Sequence, residues 1–148
     1  MQIETERLIL RPFQPEDGEG LYEYLSDAEV VRYEPYISMS PEEAREEAGR
    51  RAKNNDFWAV CKKDGQLIGN LYFSKRDFNT WELGYVFNRK YWGKGYASES
   101  VQALLDVAFR EWDVRRVVAM CDPKNTASWR LMERLGMRRE GELKQNVY

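Results

Sequence analysis

The chain has 148 residues, of which 43% are hydrophobic and 32% are charged, and its formal net charge is −2. This composition indicates one globular domain and excludes a disordered chain. The slight negative charge gives no reason to expect a nucleic-acid partner, and no apolar run approaches the roughly 20 residues that a membrane span needs. No secretory signal is visible at the start, so we expect a cytoplasmic protein without a membrane partner.

The cysteines and the absence of histidine restrict the possible chemistry. Cys61 and Cys121 fall in predicted strands without metal-ligand spacing, so we expect two free thiols in the core of a protein from a reducing compartment. Without histidine, His-based triads and most zinc sites are excluded. A general base must then be a carboxylate, a tyrosine, a lysine or water, and we predict no metal.

The first third of the chain predicts a strand and two helices. Residues 7–13 alternate between apolar and polar side chains and predict the first strand. Pro15 suits the first turn of a helix whose apolar face consists of Leu21, Tyr22 and Leu25. A second helix begins at Ser40, because serine is a preferred N-cap, Pro41 fits the first helical position and Glu43 completes a capping box.

The middle of the chain predicts an antiparallel meander of three strands. Residues 57–61 and 67–73 are rich in aromatic and β-branched side chains, and the Asp64-Gly65 pair between them is typical of a hairpin. Residues 81–87 follow as the third strand after a short turn around Asp77 and Asn79.

The last third predicts two helices and two strands. Residues 97–112 carry apolar side chains at helical spacing, residues 117–121 are a short buried strand, a helix runs from Asn125 or Thr126 to Gly136, and residues 137–143 begin a sixth strand. The order is β-α-α-β-β-β-α-β-α-β, an α/β (α+β) fold with a mixed, mostly antiparallel sheet. The unit of strand, loop, helix and strand predicts a right-handed parallel crossover.

The loop at residues 91–97, YWGKGYA, lies between a predicted strand and an amphipathic helix. Gly93 and Gly95 allow a tight turn and close main-chain approach to a ligand, and the helix start offers N–H groups and the positive end of a dipole. This combination predicts a site for a phosphorylated ligand, although a tight turn without a ligand is the alternative. The glycine spacing excludes a nucleotide-triphosphate loop, and a strand inside an antiparallel meander disfavours a dinucleotide fingerprint.

Five segments together resemble the GNAT superfamily of acetyl-CoA-dependent N-acetyltransferases, and within it the branch of the ribosomal-protein N-terminal acetyltransferases. They are residues 5–8 (TERL), 82–85 (ELGY), 92–97 (WGKGYA), 125–128 (NTAS) and 135–137 (LGM). The resemblance implies one GNAT domain over residues 1–148, with helices on both faces of the sheet. Relatives usually continue into one more strand, so we expect the last strand to be missing from this chain.

The resemblance implies acetyl-CoA as the cosubstrate. The family grips the pyrophosphate with main-chain N–H groups, here those of Gly93, Lys94, Gly95, Tyr96 and Ala97. Lys90 stands where the family usually has Gln or Arg and would add a charge for the phosphates, without the bidentate fork of arginine. The pantetheine arm would pair with the main chain of the preceding strand, at Tyr85, Val86, Phe87 and Asn88. Asn125 would contact this arm, cap the last helix, or do both.

The implied reaction is direct attack of a neutral amine on the thioester. An α-amino group, with a pKa of about 7.7–8.0, is partly neutral at physiological pH, whereas a lysine side chain near about 10.4 is not. Glu82 is the candidate for accepting the amine proton, with a solvated strand glutamate as the alternative. A main-chain N–H near Val86 or Phe87 would stabilise the oxyanion.

The remaining site residues also rest on the resemblance. Ser128 matches a serine common in this branch and would donate a hydrogen bond to the leaving thiolate, because Met132 stands where other members carry a tyrosine. An ordinary helix serine is the alternative. Tyr33 and Tyr36 would roof the acceptor site, or only pack. We expect a protein N-terminus or a small primary amine as acceptor, and a monomer or homodimer. A CoA-binding module without catalysis and a dinucleotide-dependent oxidoreductase are the other hypotheses.

Overall fold

A single sheet of six strands is present within residues 1–32, 38–119 and 130, the part of the chain that the computed structural model describes. In chain order the strands are β1 (Ile3–Glu4), β2 (Leu8–Arg11), β3 (Phe57–Lys62), β4 (Leu67–Lys75), β5 (Thr80–Phe87) and β6 (Arg116–Ala119). Pairing is antiparallel from β1 to β5, whereas β6 pairs parallel with β5. The predicted mixed, mostly antiparallel sheet is confirmed, and the two-residue β1 is an addition to it.

Three α-helices accompany this sheet in the same residues: α1 (Gly18–Leu25), α2 (Pro41–Ala52) and α3 (Tyr96–Glu111). The predicted start of α2 is confirmed, because Ser40 Oγ accepts a hydrogen bond from Glu43 N at 3.2 Å and Glu43 Oε1 accepts one from Ser40 N at 2.8 Å. None of the helices in the described residues is long and apolar enough to cross a membrane.

The first predicted helix differs from the observed one in where it begins and in which of its tyrosines is buried. Pro15 lies in a short 3₁₀ turn (Pro15–Asp17), and α1 starts only at Gly18. Tyr22 was expected on the apolar face but is 38% exposed, whereas Tyr24 is fully buried. The reason is the spacing from Leu21, which puts Tyr24 and Leu25 on the same face as Leu21 in a helix. The Tyr24 hydroxyl also donates to Asn70 Oδ1 at 2.7 Å, which satisfies its polar end.

The helices cover the sheet on both faces. On one face, α3 packs against the sheet through side chains that include Val101, Leu104, Ala108, Leu83 and Phe87. On the other face, α1 and α2 pack against it through side chains that include Leu21, Leu25, Ala44, Ala48 and Val86. Successive residues of β5 therefore face different layers, as the pleat of a strand requires.

Cys61 is a free, buried thiol in the second of these layers, as expected from the sequence. Burial raises the pKa of this thiol, against a smaller lowering effect of the nearby Arg11, so Cys61 stays protonated. Cys121, the predicted strand at 137–143 and the question of a missing last strand lie outside the described residues. Of the predicted helix at residues 125–136, only Arg130 is described, and it is helical.

Gly69 determines how closely β4 and β5 approach each other. A Cβ at this position would lie 2.5 Å from Phe87 Cδ2 and 2.7 Å from the carbonyl oxygen of Val86, which no side chain can accommodate without movement. Gly84, in the neighbouring strand, would instead place its Cβ at an ordinary 3.7 Å from Tyr72 Cβ.

We therefore expect Gly69→Ala to lower the free energy of unfolding by about 1–3 kcal/mol, the usual cost of overpacking. Gly84→Ala is the matched control and should cost less than about 0.5 kcal/mol. Urea unfolding of the two variants and the wild type provides the comparison. Equal stability of both variants would contradict the steric argument.

Candidate functional site

The loop between β5 and α3 reverses the chain through two glycines with positive φ. Gly93 has φ +77° and Gly95 has φ +81°, a backbone region where side chains are strained. Two hydrogen bonds hold the start of the loop: Asn88 Oδ1 accepts from Lys90 N at 3.0 Å, and Trp92 Nε1 donates to Phe87 O at 2.9 Å. The loop thus has a defined shape at the end of β5.

The main-chain N–H groups of residues 93–97 have no hydrogen-bond acceptor within the described part of the chain. Gly95 is the N-cap residue of α3 and supplies no side chain to satisfy the first helical N–H groups. The side chains of Tyr96 and Ala97 are partly buried and pack against the core. Together with the dipole of the 16-residue α3, this is the geometry of an anion site.

The β4–β5 register determines which main-chain groups of β5 face away from β4. Asn88 N donates to Ile68 O at 2.9 Å, and at the other end of the ladder Arg76 N donates to Thr80 O at 2.7 Å. In an antiparallel ladder, hydrogen-bonded and non-hydrogen-bonded residue pairs alternate. The main-chain N–H and C=O groups of even-numbered residues in β5 therefore bond to β4, and those of odd-numbered residues are directed to the β6 side. The N–H of Val86 is therefore directed to β4, whereas those of Tyr85 and Phe87 are directed to the β6 side. Of the two N–H groups predicted to stabilise the oxyanion, those of Val86 and Phe87, only that of Phe87 is directed away from β4.

Beside the loop, Lys90 forms an ion pair with α1. Its Nζ lies 2.9 Å from Glu23 Oε1, which also accepts a hydrogen bond from Asn88 Nδ2 at 3.1 Å. Arg89 and Asp27 form a second link between the loop and the residues after α1, at 3.0 Å. The hydrogen bond from Lys90 lowers the pKa of Glu23, against the opposing effect of burial. The Lys90 ammonium is thus held toward α1 when the carboxylate is charged.

The Glu23 contacts should contribute stability that depends on pH. Because folding lowers the pKa of Glu23 below its ordinary 4.5, the contribution is complete above that value and is lost as the pH falls through the native pKa. We expect Glu23→Gln to destabilise the protein by about 0.2–1 kcal/mol at neutral pH, since the pair is partly exposed. This difference from wild type should shrink toward zero in acid.

Urea unfolding across this pH range checks the expectation. The matched control is Glu46→Gln, since this carboxylate on α2 is 73% exposed and lies 4.0 Å from Arg50. A Glu23→Gln difference that is constant with pH would show that the carboxylate charge plays no part.

Glu82, the candidate base, forms an ion pair with Arg76. Both Arg76 Nε, at 2.8 Å, and Arg76 Nη2 donate to Glu82 Oε1. Arg76 also donates to Ser74 Oγ and Tyr72 Oη, each at 3.3 Å. The other carboxylate oxygen, Oε2, accepts no hydrogen bond from the described residues. The Glu82 side chain is 14% exposed, so it is neither a fully solvated surface group nor a buried one.

The structure brings together most of the residues expected to bind the donor. Tyr85 to Phe87 end β5, Asn88 follows the strand directly, and Lys90 and the segment from Gly93 to Ala97 belong to the connection from β5 to α3. Glu82 lies on the same strand, on the face covered by α1 and α2, about 17 Å from Phe87 at the usual rise per residue. Ser128, Asn125, Tyr33 and Tyr36 lie outside the described residues.

Three side chains at the loop were missed by the sequence reasoning. Thr5 and Arg7 both donate hydrogen bonds to the Glu99 carboxylate, and Arg7 Nη1 also donates to the loop carbonyl of Lys94 at 3.0 Å. Two signals were present: Thr5 and Arg7 belong to the TERL segment, and Glu99 is an acidic residue in the first turn of α3, where it suits the helix dipole. Neither signal indicated a contact between them.

The fold and the glycine loop define an acetyltransferase. The sequence profile of the acetyltransferase (GNAT) domain matches residues 7–138, and the chain belongs to this family. Its members transfer an acetyl group from acetyl-CoA, and the chain is an N-acetyltransferase of this type.

Named relatives agree with this membership. YnaD of Bacillus subtilis (strain 168), an uncharacterized N-acetyltransferase, is 39% identical over 150 residues, covering 99% of this chain and 88% of the relative. The ribosomal protein uS5-alanine N-acetyltransferase of Escherichia coli (strain K12) is 27% identical over 158 residues, covering 97% and 81%. A GNAT-family acetyltransferase from Bacillus anthracis, solved by crystallography, superposes with a TM-score of 0.90 at 37% identity, covering 99% and 93%.

Proposed function

We propose that this N-acetyltransferase acetylates the α-amino group of a protein N-terminus. The observation that carries the donor half of this proposal is the row of main-chain N–H groups at residues 93–97, which have no acceptor among the described residues. Phosphate oxygens of acetyl-CoA would accept these hydrogen bonds, and the α3 dipole would stabilise their charge. Lys94 adds positive charge at the loop, whereas the charge of Lys90 is paired with Glu23.

The pantetheine arm would extend from this loop along β5. The main-chain groups of Tyr85 and Phe87 are directed to the β6 side, where an arm beside β5 would lie. Since Phe87 O already accepts a hydrogen bond from Trp92 Nε1, the N–H is the group of Phe87 that such an arm would contact. As the amine nitrogen attacks the thioester carbon, negative charge develops on the carbonyl oxygen. The N–H of Phe87 is our candidate to stabilise it. Ser128 would donate a hydrogen bond to the CoA thiolate as it leaves, and Asn125 would contact the arm.

The acceptor half of the proposal rests on the surroundings of Glu82. The Arg76 guanidinium forms an ion pair with one oxygen of the Glu82 carboxylate, and a carboxylate is by nature a much weaker base than an amine. A weak base suits an α-amine, because a good fraction of α-amines is neutral near physiological pH and needs only the removal of a proton after attack. Because Glu82 lies five residues along β5 from Phe87, its Oε2, which accepts no hydrogen bond from described residues, would take that proton through a chain of water molecules.

Similarity to a named relative supports the choice of acceptor. The Escherichia coli relative acts on the alanine of ribosomal protein uS5, according to its name, and it aligns over nearly the whole of this chain. Tyr33 and Tyr36, between α1 and α2, would form the roof over such an N-terminus. A small primary amine is the competing acceptor.

A panel of matched acceptors tests the proposal. One peptide carries a free α-amine and no lysine, a second carries an acetylated N-terminus and an internal lysine, and spermidine represents small amines. After incubation with acetyl-CoA, mass spectrometry should find a 42 Da increase, about the mass of an added acetyl group, on the first peptide alone. Acetylation of spermidine alone would instead favour a small primary amine as the acceptor. Binding of acetyl-CoA without transfer to any acceptor would indicate a CoA-binding module.

Glu82→Gln should lower kcat on the free α-amine peptide by about 100-fold, the lower end of the range for general-base catalysis. The loss should diminish as the pH rises, since hydroxide in solution can then accept the proton that Glu82 takes after attack. Asp106→Asn, which changes an exposed carboxylate on α3, is the control. A pH-independent loss, or none, would remove Glu82 from the proton path.

A further inference from the structure

We propose that Thr5, Arg7 and Glu99, which we call the loop clasp, position the glycine loop for the pyrophosphate of acetyl-CoA. The inference rests on the proposed donor site at residues 93–97. It assigns a role to side chains that are far apart in the sequence. Thr5 and Arg7 lie between β1 and β2, and Glu99 lies in the first turn of α3.

Glu99 is the centre of the clasp. Its Oε2 accepts hydrogen bonds from Thr5 Oγ1 at 2.5 Å and from Arg7 N at 3.0 Å, and its Oε1 accepts one from Arg7 Nε at 2.6 Å. Burial opposes ionisation of this carboxyl, but these hydrogen bonds outweigh it and lower the pKa of Glu99. The carboxylate therefore stays charged and keeps the Arg7 side chain in one orientation.

Arg7 connects this carboxylate to three successive loop residues. Its Nη1 donates to Lys94 O at 3.0 Å, and its guanidinium lies over the Tyr96 ring, 4.4 Å from the centroid. Its Nη2 would lie 3.4 Å from a Cβ on Gly95, so the arginine also packs against that glycine. A charge-assisted bond to a loop carbonyl is among the stronger hydrogen bonds in proteins.

The bond to Lys94 O fixes the direction of the next N–H. A trans peptide unit is planar, so its C=O and N–H point in opposite directions. Since Arg7 holds the Lys94 carbonyl on its own side, the Gly95 N–H must point away from Arg7, toward the face where the ligand would bind. Glycine tolerates positive and negative φ almost equally, so this peptide could otherwise rotate at little cost. The clasp removes that freedom before the ligand arrives.

The simpler alternative is that these contacts only join the start of the chain to α3 and stabilise the fold. An acetyl donor that lacks a pyrophosphate distinguishes positioning of the loop from stabilisation of the fold. Acetyl-pantetheine keeps the thioester and the arm but lacks the group that the loop would bind. A fold defect reduces turnover of both donors, whereas a mispositioned loop affects acetyl-CoA selectively.

The experiment compares Arg7→Met, which keeps the side-chain length, with Arg110→Met, an exposed arginine in the last turn of α3. Calorimetry measures the Kd for CoA, and steady-state turnover gives kcat/KM for acetyl-CoA and acetyl-pantetheine. For Arg7→Met we expect about tenfold weaker CoA binding and an equal loss of kcat/KM with acetyl-CoA. The value for acetyl-pantetheine should stay within about twofold, the scatter of a neutral change. Arg110→Met should match wild type.

Glu99→Gln provides a second variant if Arg7→Met folds poorly, because it keeps the shape and removes the charge. We expect the same selective loss at about threefold, since part of the hydrogen bonding remains. Equal losses with both donors, or no loss with either, would overturn the clasp as a positioning device. A wild-type protein that turns over acetyl-pantetheine and acetyl-CoA equally well would instead contradict the pyrophosphate site itself.

Discussion

The antiparallel register of β4 and β5 is the constraint on which the candidate site depends. It directs alternate main-chain groups of β5 to β4 and leaves those of Tyr85 and Phe87 on the β6 side. The same pleat turns Glu82 and Val86 toward α1 and α2, and Leu83 and Phe87 toward α3. The edge of β5 can therefore bind the acetyl-CoA donor, while a side chain on one face of the same strand is directed to the amine acceptor. At the end nearest the loop, the strands approach too closely for a side chain at Gly69, and the bond from Asn88 N to Ile68 O continues the ladder.

The loop itself combines conformational freedom with restraint. Two glycines in the left-handed region give the main chain access to an anion, but the same freedom would let the loop N–H groups point in many directions. Restraint comes from hydrogen bonds to neighbouring parts of the fold, made by Asn88 and Trp92 at the start of the loop and by Arg7 at its middle. Preorganised donors of this kind bind an anion without first losing conformational entropy, which is why they bind more tightly than mobile ones.

Much of this arrangement could be predicted from the sequence, because its signals are local. The capping box at Ser40, the aromatic and β-branched runs at residues 57–61 and 67–73 and the helical spacing after Gly95 each depend on residues a few positions apart. The short α1 was less predictable, since a 3₁₀ turn after Pro15 moved its start. The ion pairs of Lys90 with Glu23 and of Arg7 with Glu99 join residues 67 and 92 positions apart. No local pattern encodes such pairs, because each charged side chain alone is typical of a solvated surface.

The links between α1 and the loop differ in how they respond to dissolved ions. The ammonium of Lys90 and the guanidinium of Arg89 are largely exposed, 71% and 57%, so their attraction to Glu23 and Asp27 is screened as ionic strength rises. The Asn88 amide is almost fully buried and carries no net charge, so its bond to Glu23 persists in salt better than the ion pairs do. In concentrated salt, the contact between α1 and the donor loop therefore depends mainly on the Asn88 amide and much less on the two charged side chains.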